Sequence, residues 1–358
     1  MKSFFDILCF GSVTMDMFMT PDPQETPLLE KNGRDGFFIP LDEKIKASNV
    51  LQSCGGSAAN TSAGFSKLGF HTAPIGFVGD DEARIYIFHE LERLGIRTDY
   101  LYPSSHSFSS FSIIINAKDG RRTVLHYRNS QEDFNPEHLL GAPQTKAIYI
   151  GHLYGKSEDM LEAVPQWKKQ TKGFIAWNPG KTQFQRGITP LKNVFPCVDI
   201  LFLNVEEAEY FTGLKATKLQ YKSASEKIIG ETISISNKYV ADTVNDIREM
   251  AKTFLDLGVR QIVFTDGKRG AQSMTTKEHF FVPSLDVRIQ STLGAGDAFA
   301  VGVTAAFIKG HPLPTQLLWG SRNAGSVIQN LGAQTGQLSL KKIQQDRGNP
   351  SFDKGKYN

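Results

Sequence analysis

The sequence predicts an α/β protein: a doubly wound, mostly parallel sheet flanked by helices, with a small β-sheet lid. Three observations lead there. Short, continuously apolar runs recur along the 358 residues, at Ile7–Phe10, Ala147–Ile150, Phe174–Trp177, Ile200–Leu203 and Gln261–Thr265. Amphipathic patterns of helical period fall between them, over Asp81–Leu94, Ser157–Gln170, Glu206–Phe211 and Asp246–Leu257. Two stretches, Met17–Leu51 and Ser107–Tyr127, break the alternation, and neither has the helix that a crossover between parallel strands requires.

Strands covered by helices on both faces have no wet side, so they read as unbroken apolar runs. The first run follows Met1-Lys2 and imitates the start of a secretion signal, but Asp6 interrupts it and Gly11 and Asp16 close it. A buried first strand is expected instead. Phe111–Ile115 and Thr123–Tyr127 flank Lys118-Asp119-Gly120 and read as a β-hairpin. Val282–Ile289 reads as a strand leading into a long helix of small residues through Ala306, whereas Leu214–Val244 is polar and poorly periodic. One domain over residues 1–345 is expected, with lid segments at about 12–51 and 100–128 and a polar C-terminal tail at 346–358.

Forty basic and thirty-seven acidic side chains leave a net charge of +3 with no basic block, so nucleic acid is not an expected partner. No stretch approaches eighteen apolar residues, which argues against a membrane span. Cys9, Cys54 and Cys197 share no C-x-x-C spacing, pointing to a reducing, cytoplasmic setting rather than a disulfide framework or zinc site. The eight histidines form no ligand motif, and the 25 phenylalanines fit core packing, with a base-stacking platform conceivable at Phe37, Phe38 and Phe111.

The sharpest chemical signal is Ser291-Thr-Leu-Gly-Ala-Gly-Asp-Ala-Phe299 at the start of the small-residue helix. Paired glycines let the backbone turn tightly, so the N–H groups of Ala295, Gly296 and Asp297 can converge on an anion at the positive end of the helix. A carboxylate there would repel a merely bound phosphate, but it suits a base that takes a proton from a hydroxyl lying against a phosphoryl group. On these residues alone a helix-capping Asp is an equal reading. The second signal, Cys54-Gly-Gly-Ser-Ala-Ala-Asn-Thr61, allows close backbone approach before a helix, and Asn60 can donate to and accept from a polyol. Gly151–Ser157 imitates a phosphate-binding P-loop but is one residue short between its glycines, so His152 and Tyr154 are read as cleft residues at a strand end.

Together and in this order, the two motifs resemble the PfkB, or ribokinase-like, family of sugar and nucleoside kinases. Gly11–Asp16 resembles that family's first strand and turn, Asn204-Val-Glu-Glu207 its N-x-x-E motif, and Thr265–Gly270 its T-x-G-x-x-G. The resemblance implies Asp297 as catalytic base and Gly294, Ala295 and Gly296 as anion hole. Asp16, Gly55, Gly56, Asn60, Arg128 and His152 would bind the acceptor. Thr265, Gly267, Gly270, Asn204 and Asn323 would hold ATP, and Glu207 with Asn204 would hold Mg²⁺ through water. Ser291 stands where the family often carries an Asp beside a monovalent cation, so dependence on such a cation does not follow, and Thr14 replaces an Asn usual in ribokinases proper.

The function expected is transfer of the γ-phosphoryl group of MgATP to an alcohol of a small sugar. A nucleoside kinase of the same family and a non-catalytic ligand-binding or regulatory protein on the same fold are the alternatives. A homodimer through the lid is a further implication of the resemblance.

Overall fold

The computed structural model describes residues 4–22, 24–31, 33–104, 108–117, 121–128, 134–216, 237–345 and 353–354. In chain order the elements are β1 (Ile7–Phe10), β2 (Thr14–Pro21), β3 (Leu28–Lys31), β4 (Arg34–Phe37), β5 (Ala47–Gly55), α1 (Ser57–Lys67), β6 (Thr72–Val78), α2 (Glu82–Arg93), β7 (Leu101–Pro103), β8 (Ser110–Asn116), β9 (Arg122–Tyr127), α3 (Pro136–Leu140) and β10 (Ala147–Ile150). They continue as α4 (Val164–Thr171), β11 (Phe174–Trp177), α5 (Lys181–Arg186), β12 (Ile200–Asn204), α6 (Val205–Thr212), α7 (Asn237–Asp256), β13 (Gln261–Thr265), β14 (Ala271–Met274), β15 (His279–Val282), α8 (Ala295–Ile308), α9 (Leu313–Val327), α10 (Leu340–Gln344) and β16 (Asp353–Lys354).

All five apolar runs become neighbours in one ten-stranded sheet of order β16-β15-β14-β13-β12-β11-β10-β1-β6-β7. From β13 to β7 every pairing is parallel, and the other edge is antiparallel. Alternate side chains of each strand feed opposite faces: Leu8 and Phe10 join a cluster with Trp177 and Phe195, while Ile7 and Cys9 join one with Phe65, Tyr149 and Phe299. The chain leaves β1 toward β6 on one side, and β10 lies on the other. That reversal places a crevice at the carboxyl ends of β1 and β10, where open α/β sheets bind their ligands.

The two segments without helices supply a separate four-stranded sheet of order β5-β2-β8-β9, with β3 and β4 as a two-stranded ribbon. The predicted hairpin is β8 against β9, antiparallel, and its tip at 118–120 lies outside the described residues. Two boundaries differ from expectation. β5 runs on to Gly55, and Leu101–Pro103 hydrogen-bonds to β6 in the large sheet.

Three further expectations are corrected. The strand read over Val282–Ile289 stops at Val282, because Pro283 has no N–H to continue a ladder. The helix read over Ser157–Gln170 is a 3-10 segment, Gly155–Ala163, followed by α4, with Pro165 at the first positions where a missing amide is harmless. α7 starts at Asn237, ahead of its apolar period, since no Gly or Pro interrupts Asn237–Asn245. In the expected tail, Asp353–Lys354 adds β16 to the sheet edge, while the remainder of 346–358 and residues 217–236 of the polar segment lie outside the described residues.

Helix α8 carries Asp297 in its first turn, and small residues let it sit close to α9. A methyl group on Gly302 would stand 2.4 Å from the Trp319 carbonyl oxygen, and one on Gly320 would stand 2.8 Å from Val303. Gly302→Ala must therefore push two helix backbones apart, and a loss of about 2 kcal/mol is expected in urea unfolding. Gly296→Ala, at the open start of the same helix, meets nothing within 4 Å and should unfold at the wild-type midpoint. Equal midpoints for all three proteins would mean that the close α8–α9 approach does not exist.

Candidate active site

Sequence-predicted residues from distant segments collect along the carboxyl edge of the sheet. Asn204 ends β12 and is the in-register partner of Thr265, which ends β13. His152 follows β10, and Gly11 follows β1. Gly294 caps α8 in the left-handed region, at φ 74°, with its α-carbon pressed on Ala333, where an added Cβ would lie 2.2 Å from the Ala333 methyl. A side chain there would be strained twice over, by backbone and by space.

No side chain caps α8, so the first amides of a 14-residue helix are left for solvent or a ligand. One of the three expected donors is partly used, because the Ala295 N–H reaches the Thr292 carbonyl at 3.4 Å. Space in front of Gly296 is open, which is what an anion cradle requires. Asp297 lies in the first turn and accepts from Asn60 Nδ2 at 2.8 Å. Burial pushes the Asp297 carboxyl up to about 6, opposed by the Asn60 hydrogen bond. The reading of Asp297 as a helix cap falls away, since Gly294 holds the capping position.

On the acceptor side, Asp16 is buried in β2 and accepts from Thr14 Oγ1 at 3.2 Å. Gly55 must lack a side chain, because a Cβ would stand 2.0 Å from Asp16 Oδ2. Gly56, at φ 90°, turns the chain into α1 where a Cβ would strike the Ser12 carbonyl at 2.4 Å. Burial raises the Asp16 pKa, and Ser112, Thr14 and Arg128 pull it back. Asp16, Ser112 and His126 are in-register neighbours on one face of the small sheet, and Ser112 Oγ lies 3.0 Å from His126 Nδ1. Arg128 donates to His126 Nε2 and lies 4.7 Å above the Tyr154 ring. His152 is pressed against the α-carbon of Gly180, its buried Nε2 has no hydrogen-bond partner among the described residues, and burial with Arg128 and His126 pushes it down to about 4.

Of Ser112, His126 and Gly180 the sequence singles out none as a ligand, and His126 reads there as a core or cleft residue. Hairpin register could have found the first two, since alternation from Asp16 places them on its face, but nothing in the sequence pointed Gly180 at His152. The same alternation removes Phe111 as a base platform: it stacks on Tyr127, ring centroids 5.5 Å apart, on the face opposite Asp16. Phe37 and Phe38 belong to the β3–β4 ribbon and its exit, and Phe38 is exposed.

On the other side of the crevice, Asn204 caps α6 in a capping box. Its Oδ1 accepts from the Glu207 N–H, and Glu207 Oε2 accepts from the Asn204 N–H, each at 2.8 Å. Burial pushes Glu207 up to about 7, the Asn204 bond lowers it, and Glu206 adds repulsion. A buried carboxyl with one oxygen outside the capping box and a like charge beside it suits a nearby hydrated cation. No group of three acidic, His or Cys side chains among the described residues is gathered to ligate a metal directly. Gly267, at φ 51°, has open space around its α-carbon, while Gly270, at φ 105°, is packed on the Val282 carbonyl and shapes the turn. Asn323 does not belong to the site. It is fully buried, donates to Ala298 O and Gln337 Oε1 at 2.8 and 2.7 Å, and accepts from Leu338 N at 2.9 Å, so its amide is spent inside the fold.

A family model described as pfkB family carbohydrate kinase matches residues 6–340. The chain is similar to the ribokinase of Bacillus subtilis (strain 168), with 22% identity over 342 residues, 95% of this chain and 98% of the relative. Among solved structures it is similar to the Methanocaldococcus jannaschii nucleoside kinase, an archaeal member of the ribokinase family, at TM-score 0.68 and 20% identity over 96% of this chain and 97% of that one. The Arabidopsis thaliana ribokinase complexed with ribose and ATP matches at TM-score 0.70 and 17% identity, covering 95% and 98%. These structures share the ribokinase-like fold, and no helix among the described residues is long and apolar enough to cross a membrane.

The raised carboxyls make a stability prediction whose sign is fixed. Asp297 rises from 3.8 to about 6 and Glu207 from 4.5 to about 7, so the folded state holds their protons more tightly than the unfolded chain. Their contribution favours folding below the unfolded values and is lost as pH climbs through the folded ones. Asp297→Asn removes that penalty and should be more stable than wild type at pH 8, by about 3 kcal/mol in urea unfolding. The gap should close as pH falls toward 4, and a gap that does not change with pH would contradict the assignment.

Proposed function

The chain belongs to the pfkB family of carbohydrate kinases and is a sugar or nucleoside kinase, and we propose that its acceptor is a small sugar, phosphorylated on an alcohol hydroxyl by ATP with Asp297 as general base. The observation that carries this reading is the Asp297 carboxylate, poised near 6, in the first turn of a helix whose leading amides face open space. A base with that pKa is mostly ionised at neutral pH yet still takes a proton readily.

In the proposed reaction the acceptor hydroxyl passes its proton to Asp297 as its oxygen forms a bond to the γ-phosphorus. The bond from that phosphorus to the bridging oxygen breaks, and ADP leaves. Amides of Gly296 and Asp297, with the Gly294 turn behind them, would meet the charge that spreads onto the transferring oxygens. Thr265 and Gly267 would take the nucleotide. Asn204 and Glu207 would hold Mg²⁺ through water, and the ion when bound would neutralise phosphate charge. Ser291 adds no charge to the loop, its hydroxyl accepting from the Leu293 N–H at 3.2 Å, so no monovalent cation enters the proposal.

Asp16, Asn60, Arg128 and His152 would bind sugar hydroxyls, with Gly55 and Gly56 allowing the close approach. A buried carboxylate and an unpartnered ring nitrogen are groups that gain from hydroxyl partners and are penalised when these are missing. The small sheet would cover the acceptor and exclude water that would otherwise receive the phosphoryl group.

Asp297→Asn is expected to keep ATP affinity while kcat falls by roughly 10²-fold or more, the scale of a positioned base. Turnover near wild type would remove Asp297 from the mechanism. The acceptor is read by ADP release across a panel of pentoses, hexoses and nucleosides. A sugar should give the highest kcat/KM; a nucleoside well above every sugar would overturn the acceptor assignment and leave the base intact.

A further inference from the structure

Asp297 is one end of a chain of side chains that the proposed mechanism does not yet use. When ionised, a carboxylate only accepts hydrogen bonds, so the atom of Asn60 that faces it has to be the amide nitrogen. Asn60 Nδ2 indeed lies 2.8 Å from Asp297 Oδ2, which turns Asn60 Oδ1 the other way. There it meets Gln334 Nε2 at 3.4 Å. Asn60 is buried and Gln334 half-buried, so little solvent competes for that carbonyl.

Gln334 is held independently of this contact. Its neighbour Ala333 packs on the Gly294 α-carbon, and the Ala333 carbonyl accepts from Gln337 Nε2 at 3.3 Å. Gln337 Oε1 in turn accepts from the buried Asn323 at 2.7 Å. The Gln334 amide also lies beside the buried thiol of Cys54, where β5 leaves the small sheet. The loop that carries Gln334 is thus clamped against the start of α8 from one side and against α9 from the other.

Resting on the reading of Asp297 as general base, we propose that Gln334 is a positioning residue. By donating to Asn60 Oδ1 it holds that amide in place against Asp297, so that one carboxylate oxygen is held by Asn60 and the other is left for the acceptor's proton. Without the donor, Asn60 Oδ1 loses its partner and the amide is free to swing away from the carboxylate, weakening the hydrogen bond that favours the ionised base.

The readout is the titration of Asp297 itself, followed by NMR of the full chain labelled with ¹³C-aspartate, its resonance identified by its loss in Asp297→Asn. Besides Asn60 from α1, the titratable groups that bear on Asp297 are Tyr149 on β10 and Cys9 on β1, both buried and kept protonated by that burial, so neither adds a charge that moves with pH in the range used. Gln334→Ala should raise the Asp297 midpoint by about one unit, and Gln334→Met, of similar volume and uncharged but without the donor, by a similar amount. In an Asn60→Ala background the same Gln334 changes should do nothing. Correspondingly, the acid limb of kcat/KM should move to higher pH, with activity recovering at alkaline pH and KM for ATP unchanged.

An unmoved midpoint, or one that moves equally without Asn60, would overturn the proposal. So would a kcat/KM loss uniform across pH, which is the mark of a merely structural role. The NMR arm needs no substrate, so it answers for Gln334 even if the panel of acceptors shows no phosphoryl transfer. Circular dichroism on each variant separates a folding failure from a shift, and Gln334→Met, which nearly keeps volume and adds no charge, supplies the answer if Gln334→Ala fails to fold.

Discussion

A carboxylate partly removed from water, as the proposed base is, needs a donor to hold it and a rigid mount beneath it, and the meeting of α1 with the start of α8 supplies both. Asn60 and Asp297 are separated by 237 positions in the chain and by 2.8 Å in space. That contact exists only because β1 stands next to β10 and β6, because α1 packs over the sheet, and because α8 is drawn against α9 through Gly302 and Gly320. Loosening any of these leaves Asp297 with a raised pKa and no partner, a charge that burial would then suppress.

The same economy of groups recurs across the crevice. Asn204 and Glu207 complete each other's missing hydrogen bonds at the start of α6, so the pair is needed for the helix before any ligand arrives. A residue kept for capping and a residue kept for chemistry are indistinguishable in such a motif. What separates them here is burial, since an ordinary capping Glu sits in water near its usual pKa and Glu207 is pushed up to about 7.

The large sheet was legible in the sequence because each strand is buried on both faces and so has only one way to be written, as an apolar run. Glycine turns were legible for a related reason: Gly55, Gly56 and Gly294 occupy places where a Cβ would strike Asp16, Ser12 or Ala333, and no other residue serves. What stayed hidden depends on pairing. Whether Phe111 or Ser112 faces Asp16 is decided by the register of β2 with β8, which composition does not carry. Asn323 misleads for the opposite reason, since an amide on a helix near the site looks the same in sequence whether it turns toward a nucleotide or, as here, toward Ala298 and Gln337. Gly180 gave no signal, because its partner is a ring that arrives from another strand end.

The small sheet is assembled from excursions that leave the large sheet after β1 and after β7 and come back to it, and Asp16 is carried there while Asn60 and Asp297 are not. In the proposed reaction, Asp16 and Arg128 would therefore meet the acceptor from a different piece of scaffolding than the one that carries the proposed base. Under that reading, substitutions in the excursions can change which molecule is admitted while leaving the Asn60–Asp297 contact untouched. A lineage built this way can diversify its diet while inheriting one unaltered engine.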